Sequence, residues 1–211
     1  MTYEILKPFG PLIYKTKLDQ EFMTFIKLIS DQTKEKSANV GETLAGNLQK
    51  QFAVEMSDDQ KRTFFNAMRS HIFDCVFEME KKYNTTGQEN FIDKKTFRFD
   101  FGSGPWINFQ EAGEFNPIHS HTGKLSAILY IDVPECIAEE NNLGLKTNSP
   151  SAGKVVWVYG SIDYGTDYNY QHQPVTGELF LFPAGLTHMV YPFKSNVERI
   201  SMSFNVYNIG W

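Results

Sequence analysis

The stretch Asn116-Pro-Ile-His-Ser-His-Thr-Gly-Lys-Leu-Ser-Ala-Ile-Leu-Tyr-Ile-Asp-Val-Pro134 decides how this chain reads. His119 and His121 are two apart, so in extended backbone both imidazoles project to the same side and can share one metal ion. Leu125 to Val133 is an apolar run between Gly123 and Pro134, which predicts a strand directly after the pair. The pair therefore sits at a strand rim, where a ligand can approach. Chance alone gives roughly 0.1 such pairs in a chain with 5 histidines among 211 residues, so the spacing is a moderate signal. Taken alone, it fits a rim pair bonded to loop carbonyls as well as it fits a metal site.

Further along stands Glu178-Leu-Phe-Leu-Phe-Pro-Ala-Gly-Leu-Thr-His188-Met-Val-Tyr-Pro192, an apolar strand, a Pro-Ala-Gly turn and a second strand opening with histidine. Arg199-Ile-Ser201 then puts a cation and a hydroxyl on one face of an otherwise apolar strand, an arrangement suited to receiving a buried carboxylate. An ordinary interstrand salt bridge from Arg199 is the competing reading.

Strict alternation in Thr96 to Phe101 predicts another half-buried strand, and further strands are expected at Trp106 to Gln110, Lys154 to Gly160, Thr187 to Phe193 and Arg199 to Tyr207. Ahead of them the spacing is helical. Leu18, Phe22, Phe25, Ile26 and Ile29 predict a helix to about Lys36, and Ser57 with Gln60 forms a capping box opening a second helix to about Lys82. Val40 to Phe52 reads as a long loop that could border a substrate cleft. Helices followed by many short strands imply a mainly β protein, a jelly roll or closed barrel with N-terminal helices packed on one sheet. We expect a single domain over 1–211, with 1–90 as helical support and 91–211 as the β core.

Net charge is -5 with scattered Lys and Arg, so no nucleic-acid footprint is visible, and a peptide or small molecule is the expected partner. Cys75 and Cys136 argue against a disulfide framework or thiolate site and for a reducing cytoplasm. Charges at Glu4 and Lys7 and two early prolines argue against a signal peptide or membrane anchor. Oligomeric state is not readable.

Together these pieces resemble the 2-oxoglutarate- and iron(II)-dependent dioxygenase superfamily, particularly its prolyl-hydroxylase-like branch and the bacterial and phage proteins with a His-x-His followed by a Leu-Ser-x-x-x-Tyr strand. The resemblance covers roughly Phe97 to Tyr207 and implies a double-stranded β-helix. It further implies that His119, His121 and His188 hold Fe(II), and that Arg199 and Ser201 bind the far carboxylate of 2-oxoglutarate. The co-substrate would be decarboxylated to succinate while an unidentified peptidyl or small-molecule substrate is hydroxylated. Tyr130, Asn108 and Trp106 are expected at the barrel mouth, with Tyr130 and Asn108 as further co-substrate contacts. Their alternative role is as core residues.

One departure is evident, for His121 stands where most members have Asp or Glu. Three imidazoles also suit a catalytic zinc. A cupin-like three-histidine metalloprotein acting without 2-oxoglutarate, or a non-catalytic binding protein on the same frame, therefore stays open. So does a shifted register in which His121-Thr-Gly123 resembles the His-x-Gly of iron halogenases. Glu111 and Glu114 could supply a carboxylate ligand, but they precede Pro117 and the rim turn and read as solvated or substrate-contacting. His71 is expected to be a surface or packing residue, and His172 a surface residue in the loop Tyr164 to Gln173.

Overall fold

The computed structural model describes residues 2–6, 10–83, 92–142, 147–161 and 168–211. The strands are β1 (Tyr3–Leu6), β2 (Ile13–Lys17), β3 (Gln51–Ala53), β4 (Arg98–Asp100), β5 (Trp106–Gln110) and β6 (Asn116–His119), then β7 (Leu125–Asp132), β8 (Val155–Val158), β9 (Asn169–His172), β10 (Glu178–Pro183), β11 (Thr187–Val190) and β12 (Arg199–Gly210). The helices are α1 (Gln20–Lys36), α2 (Asp58–Tyr83) and the short α3 (Glu135–Glu139).

The large sheet runs β1-β2-β10-β7-β12-β5-β3, with β4 on β12, and the small sheet runs β6-β11-β8-β9. Strand alternation sorts the side chains of the large sheet. Ala127, Leu129, Ile131, Leu179, Leu181, Met202 and Phe204 join one core with Ile26 and Ile29 of α1 and Phe64, Met68 and Ile72 of α2. Ile128, Tyr130, Phe180 and Phe182 point the other way and meet Trp157, Val155 and Val190 of the small sheet. The helices thus cover one face of the large sheet, and a second layer of strands covers the other. This is the expected mainly β, double-stranded β-helix arrangement.

Burial of each large apolar side chain stabilises the fold by about 1.5–3 kcal/mol, and 15% aromatic content supplies much of that core. The capping box at α2 is formed as expected. Ser57 N–H donates to Gln60 Oε1 at 2.8 Å, and Gln60 N–H donates to Ser57 Oγ at 3.3 Å.

Several elements were not foreseen. The hairpin β1–β2 and the three-residue β3 extend both edges of the large sheet, so the region before residue 90 supplies strands as well as helices. β3 is too short to show a period, and it lies inside the stretch expected to be loop. β6 contains Pro117, which is tolerated because β6 is the edge of its sheet. β9, Asn-Tyr-Gln-His, is half-buried along its whole length and so carries no alternation. The short α3, which carries Cys136 just after β7, was likewise not foreseen.

His71 is a buried packing residue whose Nδ1 faces the Tyr14 hydroxyl at 2.9 Å. Burial lowers its pKa to about 4. The unfolded chain protonates this imidazole near its ordinary value of 6.5, whereas the folded chain keeps it neutral. Its contribution to stability is therefore complete above pH 6.5 and is lost as pH falls towards 4, on the order of 3 kcal/mol in all. Urea midpoints measured from pH 7 to 4.5 are expected to fall less steeply for His71→Gln, which keeps an acceptor for Tyr14 and cannot titrate. Parallel curves for the two proteins would remove His71 from the acid transition.

Candidate metal and co-substrate site

The three histidines converge because the small sheet sets them in register. His188 on β11 is the direct cross-strand partner of His119 at the end of β6. The turn beyond β6 is fastened by His121 N–H donating to Ala184 O at 2.9 Å, which brings the third ring alongside. One ligating nitrogen from each of His119, His121 and His188 lies within 4.8 Å of the others. The ring centroids are 4.3 Å (His119 to His188), 4.8 Å (His119 to His121) and 5.1 Å (His121 to His188) apart.

Hydrogen bonding selects the tautomers of two rings. His119 Nδ1 lies 2.7 Å from Pro117 O, and His188 Nδ1 lies 2.9 Å from Leu186 O. A carbonyl only accepts, so both Nδ1 atoms carry the proton and both Nε2 atoms keep a free lone pair. A carbonyl behind each ring also fixes its orientation, as in many metal sites. Burial, reinforced by the neighbouring imidazoles, lowers His188 to about 3, and burial with His119 beside it lowers His121 to about 4. Both rings are therefore neutral at pH 7, the form that ligates. The donor set fits a divalent ion that accepts imidazole.

Below the histidines lies a chamber walled by polar groups on inward positions of the large sheet: Asn108 of β5, Ser126 of β7 and Ser203 and Asn205 of β12, with Gln51 of β3. Gln51 Nε2 donates to Asn108 Oδ1 at 2.8 Å, and Ser126 Oγ donates to Asn205 Oδ1 at 2.7 Å. Asn108 was expected at the mouth. The partners were missed, although a polar residue at every second position of the apolar run Ile200 to Val206 was a readable signal of a wet inner face.

The stretch read as a loop, Val40 to Phe52, does border the site, through Leu44, Ala45, Gly46 and Gln51. It comes so close at Gly46 that an added Cβ would lie 2.2 Å from Asn116 Oδ1 and 2.9 Å from Gln51 Nε2. The segment from Ala138 to Lys154 supplies no lining residue among those described. Its Gly153 carbonyl instead accepts from Arg199 Nη1 at 2.5 Å.

Arg199 is 3% exposed and opens the inner face of β12, deeper than Ser203 and Asn205. The salt-bridge reading does not hold, because no carboxylate among the described residues pairs with it. Its other Nη group donates to Gln110 Oε1, and its Nε has no partner. Burial pulls the guanidinium below its ordinary value. Nearby, Tyr130 lies with its ring centroid 5.9 Å from the guanidinium carbon, and its hydroxyl is also buried without a partner. Tyr130 is thus at the barrel floor rather than at its mouth. Ser201 lies between, opposite both Asn108 and Tyr130. A buried cation with no anion, beside an unsatisfied hydroxyl, fits a carboxylate-bearing ligand.

Other expectations are revised. His172 is not a surface residue: it is half-buried, with Nε2 2.8 Å from Glu178 Oε2. Residues 162–167 of its loop lie outside the described residues. Glu111 pairs with Lys50, and Glu114 accepts from the backbone N–H groups of Gln49 and Glu111, so neither supplies a metal ligand. Among the described residues no helix is long and apolar enough to cross a membrane.

Comparison with known proteins agrees with this geometry. Residues 104–205 match the family model described as "Putative 2OG-Fe(II) oxygenase". A prolyl-4-hydroxylase from Pseudomonas putida superimposes with a TM-score of 0.55 at 16% identity, covering 94% of this chain and 93% of that one. The 2-oxoglutarate-dependent carbocyclase SnoK of nogalamycin biosynthesis gives 0.54 at 13% identity over 92% and 78%. A prolyl hydroxylase of Trichoplax adhaerens gives 0.51 at 10% identity over 92% and 83%. At these identities the likeness is one of fold. A search of the curated proteins finds no match. The resemblance read from the histidines and Arg199 is borne out, and Fe(II) and 2-oxoglutarate are the metal and co-substrate that the family match and the triad support.

Proposed function

We propose that this chain, whose core 104–205 matches the 2-oxoglutarate- and iron(II)-dependent oxygenases, acts as one oxygenase domain that hydroxylates an uncharacterised peptidyl or small-molecule substrate in the cytoplasm. The observation that carries the reading is the pairing of two features in one barrel: three convergent imidazoles, and a buried arginine with no anionic partner among the described residues.

In this reading His119 and His188 bind iron(II) through Nε2, and His121 supplies the third nitrogen. Arg199 holds the far carboxylate of 2-oxoglutarate, with Ser201 and Tyr130 donating hydroxyl hydrogen bonds and Asn108 lining the path between arginine and metal. Bound iron with 2-oxoglutarate supplies the oxidising chemistry, and the protein supplies orientation and a shielded site. The apolar rings of Phe182 and Trp157 around the polar wall keep bulk water from the reacting groups.

Purified protein with iron(II), ascorbate and labelled 2-oxoglutarate is expected to release succinate and carbon dioxide in equal amounts, and to do so more slowly when iron is chelated. Iron binding without any consumption of 2-oxoglutarate would overturn the co-substrate assignment. It would favour the second reading, a three-histidine metalloprotein working without 2-oxoglutarate. The absence of a carboxylate among the described residues lining the chamber keeps that reading in play.

A further inference from the structure

Outside the histidines a second cavity of about 530 Å³ opens to the surface. It shares His119, His121, Trp106 and Asn205 with the inner chamber, so whatever occupies it reaches the metal ligands. Its walls include Val40 with Thr43 to Ala45, the turn Ser103 to Pro105, and the turn Ser120 to Thr122 with Tyr207 behind it. Trp106 anchors the inner end, its ring 5.9 Å from that of His121. At the outer end the Thr122 and Tyr207 hydroxyls are hydrogen-bonded to each other at 3.1 Å.

The chemistry of these walls is narrow. Among the described residues no Asp, Glu, Lys or Arg lines this cleft or the inner chamber. Hydroxyls, one amide and two aromatic faces line the cleft instead. Several charged groups on the neighbouring strands and loops have partners of their own: Glu111 with Lys50, Glu198 with Lys34 and Lys50, and Asp100 with Asn208. A charged group moved from water into such a cleft loses its hydration and gains no counter-ion, whereas an uncharged polar group finds hydroxyl and amide partners.

We infer that this cleft is the prime-substrate site and that it admits only an electroneutral group, one with an apolar face for Trp106 and Tyr207 and neutral hydrogen-bonding atoms for Asn205 and the wall hydroxyls. With iron(II) at the histidines and its two charges balanced by the 2-oxoglutarate dianion, free amino acids, organic acids and nucleotides are excluded as substrates, because each would bring a further charge that no described wall group pairs. The inference rests on the oxygenase reading for the word substrate and for the balance of iron(II) and 2-oxoglutarate charge at the cleft's inner end.

Matched probes test it. Free amino acids and their N-acetyl amide forms share side chains and differ in charge, and their binding to protein loaded with iron(II) and saturating 2-oxoglutarate can be followed under argon by ligand-observed NMR. At least one capped compound with an apolar ring or chain is expected to bind at least about tenfold more tightly than its free counterpart. Ser103→Lys, a change at an exposed turn on the cleft wall, is expected to shrink that ratio by strengthening the probe with a free carboxylate. A free form that binds as well as the capped form, a panel in which nothing binds, or a ratio unmoved by Ser103→Lys overturns the inference. Capped probes that bind to a protein unable to consume 2-oxoglutarate would overturn the oxygenase reading and leave the cleft's selectivity standing.

Discussion

His121→Ala is expected to weaken iron(II) binding by at least about 100-fold, while His121→Asp is expected to bind the metal within a small factor of the parent protein. Loss of a supporting residue behind a metal ligand already costs about 10–100-fold, so loss of a ligand sets that range as a floor. Aspartate, in contrast, restores the two-histidine, one-carboxylate set common to iron(II) oxygenases. It also lowers the net charge of the donor set by one, which strengthens attraction for the cation and weakens it for an anionic co-substrate. Chelator competition with iron(II) or cobalt(II) measures the first effect, and the cobalt spectrum reports the change from nitrogen to oxygen donor. Unaltered affinity in His121→Ala would remove His121 from the metal and leave a site of two histidines. The fold should tolerate both changes, because His121 is joined to its surroundings through its backbone N–H to Ala184 O rather than through its ring.

The strand positions behind this site were legible because both faces of the large sheet are covered, so its central strands read as short apolar runs bounded by Gly, Pro and polar residues. Trp106–Gln110 begins and ends where its pattern does, and Leu125–Asp132 and Glu178–Pro183 are close to it. Both termini of the helix from Ser57 were marked by its capping box and the end of its apolar face. What escaped was short or edge structure. β3 gains its regularity from pairing with β5, and β6 carries a proline that local preference alone would exclude from a strand. The histidines could be named from spacing, but their convergence depends on the pairing of β6 with β11, a long-range register that spacing alone does not encode. For Arg199 the sequence suggested a carboxylate receiver, with an interstrand salt bridge as the lesser alternative. Its burial without an acidic partner among the described residues removes the salt bridge, and burial depends on how β12 sits between β5 and β7.

Arg199 therefore gives the second large effect. Arg199→Met is expected to lower 2-oxoglutarate affinity by about 30-fold or more, since truncating one partner of a buried, hydrogen-bonded charge pair costs about 2–5 kcal/mol. The same substitution should leave the ligand-free protein as stable as before, or more so. Removing the guanidinium deprives Gly153 O and Gln110 of their donors, at about 1–3 kcal/mol for each acceptor left unsatisfied. Against that, the fold no longer has to hold a buried cation without a counter-ion, whose desolvation costs several kcal/mol even after relaxation. Methionine has the length and flexibility to fill the space beside Tyr130 and Phe193. Thermal unfolding with and without 2-oxoglutarate separates the two roles. A clamp predicts that the parent protein is stabilised by the co-substrate and that the methionine variant, though folded, is not. A purely structural arginine predicts the reverse: a variant that unfolds at lower temperature yet still responds to 2-oxoglutarate, and that result would return the co-substrate to some other part of the barrel.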